Sequence, residues 1–313
     1  MSRKRNILAL VVLGLPALAA DITVAPSQSI QAAVDAAAAG DRILVQPGTY
    51  HESGRPCPSD ATVVCAVVIT KDNINLLAQP LPGQPVILEN AGGQDTGIAV
   101  AKPGAVPKQC LSTQTQRING SVIAGFLVRN FDGVGIYILC ADNWSIERNS
   151  TVDNAEYGIF PLHCGKGRMT MNVASGARDT GIYIGQSDGA RVDNNLAHDN
   201  VSGFEVENST NIELDHNAAI HNTAGIVMFV LPLRDILVSH GNRLHHNFVY
   251  ENNSPNTCLD PTDDVCALPQ GIGILDIGGD HNLLSGCLML VPQRVALCTQ
   301  HLKKPYRGSR CPL

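Results

Sequence analysis

Aromatic residues are scarce in this 313-residue chain, at 4% of the sequence with a single tryptophan. So few rings cannot fill a wide core, which favours a narrow core of stacked aliphatic side chains. Positive charge is also scarce, since the net charge is −6 at pH 7 and no long basic run occurs apart from a tail around Lys303 to Arg310. This balance argues against nucleic acid as a partner.

Long apolar runs are missing beyond the first 20 residues, so no membrane span is predicted. Arg3, Lys4 and Arg5 form a basic start, and an apolar run of fourteen residues follows from Ile7 to Ala20. This pattern is typical of a secretory signal peptide, with an uncleaved anchor as the alternative. Cleavage near Ala19 or Ala20 predicts a secreted or periplasmic protein consisting of residues 21–313.

The ten cysteines include no Cys-x-x-Cys pair, so disulfides in an oxidising compartment are favoured over a metal site. Two pairs close short loops, Cys57 with Cys65 and Cys258 with Cys266. In a middle group, Cys140 is expected to bond either Cys164 or Cys110. The pairing of the last three cysteines is left open: Cys287, Cys298 and Cys311.

A repeat of 22 to 23 residues organises the centre of the chain. Its marker glycines are Gly135, Gly158, Gly181, Gly203 and Gly225, followed after 48 residues by Gly273. Each precedes an apolar residue, a variable one and usually another apolar one, the pattern of a short strand. A single coil cannot bury its inward side chains, but stacked coils can. We predict one all-β domain, a right-handed parallel β-helix with three short strands per coil, regular over about residues 97–285 and capped after that.

Two rows of asparagine keep the same period. The first row contains Asn149, Asn172, Asn195, Asn217 and Asn247. The second contains Asn130, Asn154, Asn200, Asn222 and Asn252, with Arg178 in the vacant position. Asparagine tolerates left-handed backbone and forms stacked amide bonds, so both rows are expected at the corners between strands.

A short helix is predicted near the N-terminus. Ser29 is placed to cap it, and the side chains of Ile30, Ala33, Val34 and Ala37 share one face before Gly40 ends it. Because the first coil of a β-helix leaves its core and backbone uncovered, we expect this helix to cover it.

The helix, Gly40-Asp41, an apolar strand and Pro47-Gly48-Thr49-Tyr50 together resemble the start of the pectin-lyase-like superfamily. The downstream repeats are similar to those of exported bacterial parallel β-helix repeat proteins. The resemblance covers roughly residues 22–285 and implies the fold. It implies little about activity, because the group includes proteins with no established function.

The second residue after each glycine should point outward and be exposed. This row contains Tyr137, Phe160 and Tyr183 and continues into Glu205, with Glu207 on the same face. Rings stack on sugar faces and acids move protons, so the row predicts a protein that binds or modifies a polysaccharide. The alternative is a structural ladder in a non-catalytic scaffold.

Complete catalytic signatures are absent. The Asp-Pro-His-Asp signature of alginate epimerases has its nearest counterpart in Asp260-Pro261-Thr262-Asp263, which lacks the histidine. An acidic insertion with Asp260, Asp263 and Asp264 offers a candidate calcium site, or else a solvated loop. We expect no other cofactor, a lyase-like or epimerase-like reaction if the protein is catalytic, and a monomer.

Seven histidines fall mainly in the predicted turns, as polar corner residues. They are His198, His216, His221, His240, His245, His246 and His281. A periplasmic partner in copper maturation is the alternative that they suggest, since exposed imidazoles bind copper.

Overall fold

The computed structural model describes residues 19–111, 114–232, 234–290 and 294–298. The predicted signal peptide up to residue 18 and the predicted cap after residue 298 lie outside these ranges. The described chain winds into coils whose strands form three stacked parallel sheets. The fold is therefore a right-handed parallel β-helix, as predicted.

The strands of the first sheet are Asp21–Val24, Arg42–Val45, Asn75–Ala78, Val122–Ala124, Trp144–Glu147, Gly167–Thr170, Arg191–Asp193, Glu213–Asp215, Arg243–His245 and Leu283–Ser285. Those of the second sheet are Gly48–Tyr50, Val86–Glu89, Phe126–Arg129, Ser150–Val152, Val173–Ser175, Leu196–His198, Ala218–Ile220, Phe248–Tyr250 and Leu288–Leu290.

The third sheet has the longer strands, and it carries the repeat glycines. Its strands are Arg55–Pro56, Val64–Ile69, Thr96–Val100, Val134–Leu139, Tyr157–Leu162, Thr180–Gly185, Ser202–Glu207, Ala224–Phe229, Ile272–Ile277 and Arg294–Cys298. A small two-stranded sheet pairs Ile118–Asn119 with Ala141–Asp142. The α-helix is Ile30–Ala36, and 3-10 turns occur at Gln109–Leu111, Gln114–Gln116 and Asp264–Ala267.

The predicted register of the third sheet is confirmed. The inward row that follows the glycines is fully buried and aligned: Ile136, Ile159, Ile182, Phe204, Ile226 and Ile274. A Cβ added to Gly135 would lie 2.6 Å from the carbonyl oxygen of Gly158. Glycine is needed in this column because neighbouring coils approach too closely for a side chain.

The first asparagine row forms the predicted amide ladder, in which the Nδ2 of Asn172 donates to the Oδ1 of Asn195 at 2.9 Å. The left-handed corner residue is the one before each ladder asparagine, such as Asn194 at φ 56°. The second row needs a correction. Asn130 has a φ of 65°, and Phe131 takes its predicted place by donating its N–H to the Oδ1 of Asn154.

The vacant position of the second row is occupied by Ala177 and not by Arg178. The N–H of Ala177 donates to the Oδ1 of Asn200 at 3.0 Å. Asn130 was misplaced by one residue because the left-handed corner immediately before the ladder also favours polar side chains. Arg178 was misplaced in the other direction, since it follows the ladder position of Ala177 and the corner before that position is Gly176.

The N-terminal helix lies where it was predicted. Ser29 caps it by accepting from the N–H of Ala32 at 3.0 Å, and Ile30 and Val34 are buried in the main core. Glu52 adds a second cap, since its Oε1 accepts from the N–H of Ile30 at 2.6 Å. The helix ends at Ala36, before the turn that contains Gly40.

Within the described ranges there are three disulfides, with Cα–Cα distances of 5.1 Å for Cys57–Cys65, 5.8 Å for Cys110–Cys140 and 5.4 Å for Cys258–Cys266. Cys164 was the other predicted partner of Cys140, and that alternative is wrong. Cys140 packs with Cys110 beneath the 101–117 insertion, whereas the free Cys164 packs in the main core. Neighbouring coils place the two residues close together, but their side chains belong to different clusters.

Cys287 forms no disulfide within the described residues, and the side chains of Cys298 and Cys311 lie outside them. None of the helices in the described ranges has the length and apolar character to cross a membrane.

Candidate functional site

The outward face of the third sheet is covered, so the predicted exposed ladder is corrected. Tyr183, Glu205 and Glu207 are only 4%, 4% and 2% exposed. Tyr137 and Phe160 are half-buried. All five residues point away from the core, as predicted, but insertions between the strands fold back over this face.

One covering segment is the 230–238 insertion, of which residue 233 is not described. Asn208 anchors it, since its Nδ2 donates to the carbonyl of Leu231 at 2.9 Å and its Oδ1 accepts from the N–H of Leu231 at 2.8 Å. Arg234 then reaches under the segment, and its Nε donates to the Oε1 of Glu207 at 2.6 Å. This contact removes Glu207 from water.

The aromatic side chains form a continuous cluster that includes Tyr157, which the sequence analysis missed. The ring centroid of Phe160 lies 4.4 Å from that of Tyr157, 4.5 Å from that of Tyr183 and 5.3 Å from that of Tyr137. Tyr157 immediately precedes a repeat glycine, and that position also faces outward. Reading this column in the sequence would have found Tyr157 and the equivalent Thr180.

Thr180 connects two carboxyl groups. Its Oγ1 lies 2.7 Å from the Oε2 of Glu205 and 2.9 Å from the Oδ1 of Asp179. A hydroxyl carries one proton, so it can donate to only one of the two carboxyls, and the other must donate to it. Burial raises the pKa of Glu205 well above its usual range, and the charge of Asp179 raises it further. Glu205 therefore holds the donated proton, and Thr180 donates to Asp179.

Asp179 is the half-buried end of this Asp179–Thr180–Glu205 chain. Burial raises the pKa of Asp179 to about 6, although hydrogen bonds from Tyr157 and Thr180 oppose the shift. The negative charges of Asp263 and Glu207 raise it further. Asp179 is thus a carboxyl group that exchanges its proton close to neutral pH.

Glu207 is held by two donors. The Tyr183 hydroxyl donates to its Oε2 at 2.7 Å, and Arg234 pairs with both of its oxygens. Burial raises the pKa of Tyr183 and of Tyr157, which keeps both phenols protonated as donors. We call this group of Tyr157, Asp179, Thr180, Tyr183, Glu205, Glu207 and Arg234 the carboxyl–tyrosine cluster.

His163 contacts the same covering segment, with its Nε2 3.7 Å from the Oδ2 of Asp235. Burial lowers the pKa of His163 to about 4, against the opposing charge of Asp235. The imidazole is therefore neutral at pH 7, and its buried Nδ1 has no hydrogen-bond partner within the described structure.

The three acids of the predicted calcium loop play different local roles. The Oδ1 of Asp260 accepts from the N–H of Thr262 at 2.9 Å, Asp263 precedes a 3-10 turn, and Asp264 begins it. They do not form a compact group of metal ligands in the described part of the chain, where such groups are His240–Asp280–His281 and Glu213–Asp215–His245. Calcium at the loop stays a prediction.

Several histidines occupy strand corners, as predicted. His216, His221, His246 and His281 all have left-handed backbone, with φ between 54° and 58°. Polar residues are favoured at such corners because their side chains bond the local main chain or neighbouring carboxylates.

Residues 111–288 match the family described as right handed beta helix region, and the chain belongs to this family. No curated protein matches the chain. Among solved structures, it is similar to the A-module of the mannuronan C-5 epimerase AlgE6 from Azotobacter vinelandii. The two are 17% identical with a TM-score of 0.55, over 82% of this chain and 70% of that one.

Two further structures are similar. The periplasmic alginate epimerase AlgG is 15% identical with a TM-score of 0.53, over 81% of this chain and 61% of that one. A DFA-IIIase variant from Arthrobacter chlorophenolicus A6, in complex with DFA-III, is 16% identical with a TM-score of 0.50, over 86% of this chain and 75% of that one. At these identities, the likeness concerns the fold.

Proposed function

We propose that this protein is an exported polysaccharide-modifying enzyme of the lyase or epimerase type, with the carboxyl–tyrosine cluster as its acid–base site. The observation that carries the proposal is the Asp179–Thr180–Glu205 chain. It combines a carboxyl group that titrates near neutral pH with a protonated one, and a hydroxyl joins them. Such pairs of unlike acids are typical of acid–base catalysis.

The energetic cost of the cluster supports a functional role. Removing carboxylates from water costs several kcal/mol each unless partners compensate, and most outward residues of a solenoid avoid that cost. Here Glu205 and Glu207 are both buried on an outward face. The raised pKa values of Glu205 and Asp179 at such a place favour a reaction site over a purely structural network.

The aromatic cluster supplies a surface for sugar rings. Tyr137, Tyr157 and Phe160 remain half-buried, so parts of their rings stay accessible beside Asp179. Stacking on such rings would align a glycan along the coil axis. The names of the similar structures agree with this substrate class, since one is a mannuronan C-5 epimerase and another is an alginate epimerase.

The reaction type assigns a role to each group. In elimination or epimerisation of a uronate, a base removes the proton next to the carboxylate, and a cation or acid stabilises the resulting charge. Asp179 would be the base above its pKa of about 6, Glu205 the proton donor, and Arg234 the group that neutralises the substrate carboxylate. Binding would draw Arg234 from Glu207 to the substrate.

Export is the remaining part of the proposal. The three disulfides fit an oxidising compartment, where extracellular and periplasmic polysaccharides are found. N-terminal sequencing of the secreted protein tests it, and a first residue close to Asp21 is expected.

The activity test is incubation with polymannuronate, polyguluronate, polygalacturonate and a neutral glucan. Ultraviolet absorbance of unsaturated uronates reports elimination, and proton NMR in heavy water reports deuterium at the epimerised carbon. We expect turnover of one polyuronate and a loss of at least a hundredfold in Asp179→Asn. Asp199→Asn is the matched control, because Asp199 is an exposed acid at the corner after the second-sheet strand Leu196–His198.

If Asp179→Asn and Glu205→Gln both retain full turnover, the proposed roles of Asp179 as base and Glu205 as proton donor are wrong. Binding of a glycan without turnover by the wild-type protein would instead indicate a non-catalytic binding protein. If no glycan binds at all, the scaffold alternative is favoured.

A further inference from the structure

Two adjacent histidines meet at the corner between the first and second sheets. His245 ends the strand Arg243–His245, and His246 is the left-handed residue that follows it. Their Nδ1 atoms are 3.0 Å apart, and the ring planes are nearly perpendicular at 89°. His246 is exposed and His245 is partly buried. This corner lies outside the carboxyl–tyrosine cluster, which belongs to the third sheet.

The proton positions follow from the partners of His245. Its Nε2 lies 3.0 Å from the Oε1 of Glu213, and an ionised carboxylate can only accept, so Nε2 carries the proton. In the neutral ring, Nδ1 of His245 then has a free lone pair. The 3.0 Å contact is consequently a hydrogen bond donated by the Nδ1 of His246.

Groups on the preceding coil contact both rings, and they fix the ring of His245 more firmly than the exposed ring of His246. Glu213 orients His245 through the bond to Nε2, while His216 stacks on His246 with ring centroids 5.2 Å apart and an interplanar angle of 8°. His216 is itself fixed, because its Nδ1 lies 2.8 Å from the Oδ2 of the buried Asp215. A carboxylate behind an imidazole is the arrangement that usually supports a metal-binding histidine.

We propose that His245 and His246 chelate a late first-row divalent transition metal ion through their Nδ1 atoms, with Glu213 as a positioning residue. Two nitrogens about 2.05 Å from one metal ion at a right angle are about 2.9 Å apart, close to the observed separation. Metal binding breaks the hydrogen bond between the rings, and a rotation of the exposed His246 ring turns its Nδ1 lone pair toward the ion that the Nδ1 of His245 faces. The proton on the Nδ1 of His246 is exchanged through solvent to the Nε2 of the same ring, which frees Nδ1 for the metal. Because both rings start and end neutral, metal binding releases no net proton.

A second ligand set at the same corner is disfavoured. Glu213, Asp215 and the Nε2 of His245 also bring ligand atoms within 4.8 Å of one another. However, Arg191 donates to both oxygens of Asp215 at 3.0 and 2.9 Å, and a dication beside that guanidinium would be repelled. The Nδ1 pair meets the ion on the solvent side, where water can complete its coordination.

The test is a calorimetric titration of the mature protein with Cu²⁺, Ni²⁺ and Zn²⁺ in a non-coordinating buffer. We expect the strongest binding for Cu²⁺, because imidazole sites follow the usual order of divalent affinities. Electron paramagnetic resonance of the copper form should show two equatorial nitrogens. His246→Gln, at an exposed position that leaves the core intact, should weaken copper binding at least tenfold. Glu213→Ala should weaken it by about tenfold, the usual effect of losing an orienting partner.

The matched control is the double variant His240→Gln, His281→Gln. These two exposed histidines precede strands of the first sheet, whereas His245 ends one, so the variant removes a separate exposed group. It should retain the copper site and its spectrum. Unchanged affinity in His246→Gln, or loss of the site in the double variant, would overturn the assignment. Loss in Asp215→Asn but not in His246→Gln would also overturn it, since that result selects the other ligand set. None of these readouts depends on polysaccharide turnover.

Discussion

Replacing Asn195 by alanine tests the asparagine ladder that connects the coils. The Oδ1 of Asn195 accepts from the N–H and the Nδ2 of Asn172, both at 2.9 Å. Its Nδ2 donates to the carbonyl of Met169 at 3.0 Å and to the Oδ1 of Asn217 at 2.9 Å. All three asparagines are at most 2% exposed, so water cannot replace these bonds.

The magnitude follows from the groups that lose partners. Alanine at position 195 leaves two buried donors of Asn172 without their acceptor, and each costs about 1–3 kcal/mol. We therefore expect Asn195→Ala to lower the free energy of unfolding by about 2–6 kcal/mol. The carbonyl of Met169 loses the amide donor of Asn195 as well, which adds to the loss. The Oδ1 of Asn217 still accepts from the backbone N–H of residue 195 at 3.0 Å.

Asn194 provides a matched control next to Asn195. It is exposed and has a φ of 56°, which glycine adopts readily. Asn194→Gly should therefore change the free energy of unfolding by less than about 1 kcal/mol. The free energy of unfolding of both variants is measured by urea denaturation, with circular dichroism as the signal. The midpoints can be compared if the free energy has the same slope against urea concentration in both variants. A cost for Asn195→Ala below 1 kcal/mol, or one equal to the control, would refute the ladder as a source of stability.

Three other predictions concern the covered face and the disulfides. Tyr183→Ala should lower the free energy of unfolding by about 3–5 kcal/mol in thermal or urea denaturation, because the ring is buried; a change below 1 kcal/mol would show that the face is open. The free energy of unfolding should fall as the pH drops from about 6.5 to about 4, because His163 takes up a proton in the unfolded chain at a higher pH than in the folded one. His163→Asn should remove that part of the pH dependence between pH 7 and pH 4, and identical profiles would contradict it. Alkylation of the denatured, unreduced protein should label Cys164 and leave Cys110 and Cys140 unmodified; labelled Cys110 would exclude the assigned disulfide.

The stacking of the coils was readable from the sequence. Register depends on contacts between neighbouring coils, which recur every 22 to 23 residues, and the column of glycines with the buried residue after each one marks that period directly. The first asparagine row was readable for the same reason. The short loops of Cys57–Cys65 and Cys258–Cys266 are local as well, so their pairing followed from sequence distance.

Errors of one residue arose at the corners. Asn130 and Phe131 are adjacent, and period alone did not tell which of them occupies the ladder position. The partner of Cys140 was ambiguous for a related reason. Sequence distance places Cys164 one coil away, whereas the path of the 101–117 insertion decides that Cys110 is the one that reaches it.

The sequence by itself determined which residues of the third sheet point outward, because strand alternation is a local property of the backbone. Whether those residues meet water was decided only by the tertiary structure. Arg234 pairs with Glu207 from an insertion that lies outside the repeat, and Tyr183 and Glu205 are buried on the same face. Burial raises the pKa values of Asp179 and Glu205, and the charge of Asp263 in the other insertion raises that of Asp179 further. The chemistry of the candidate site therefore depends on groups that lie outside the repeat.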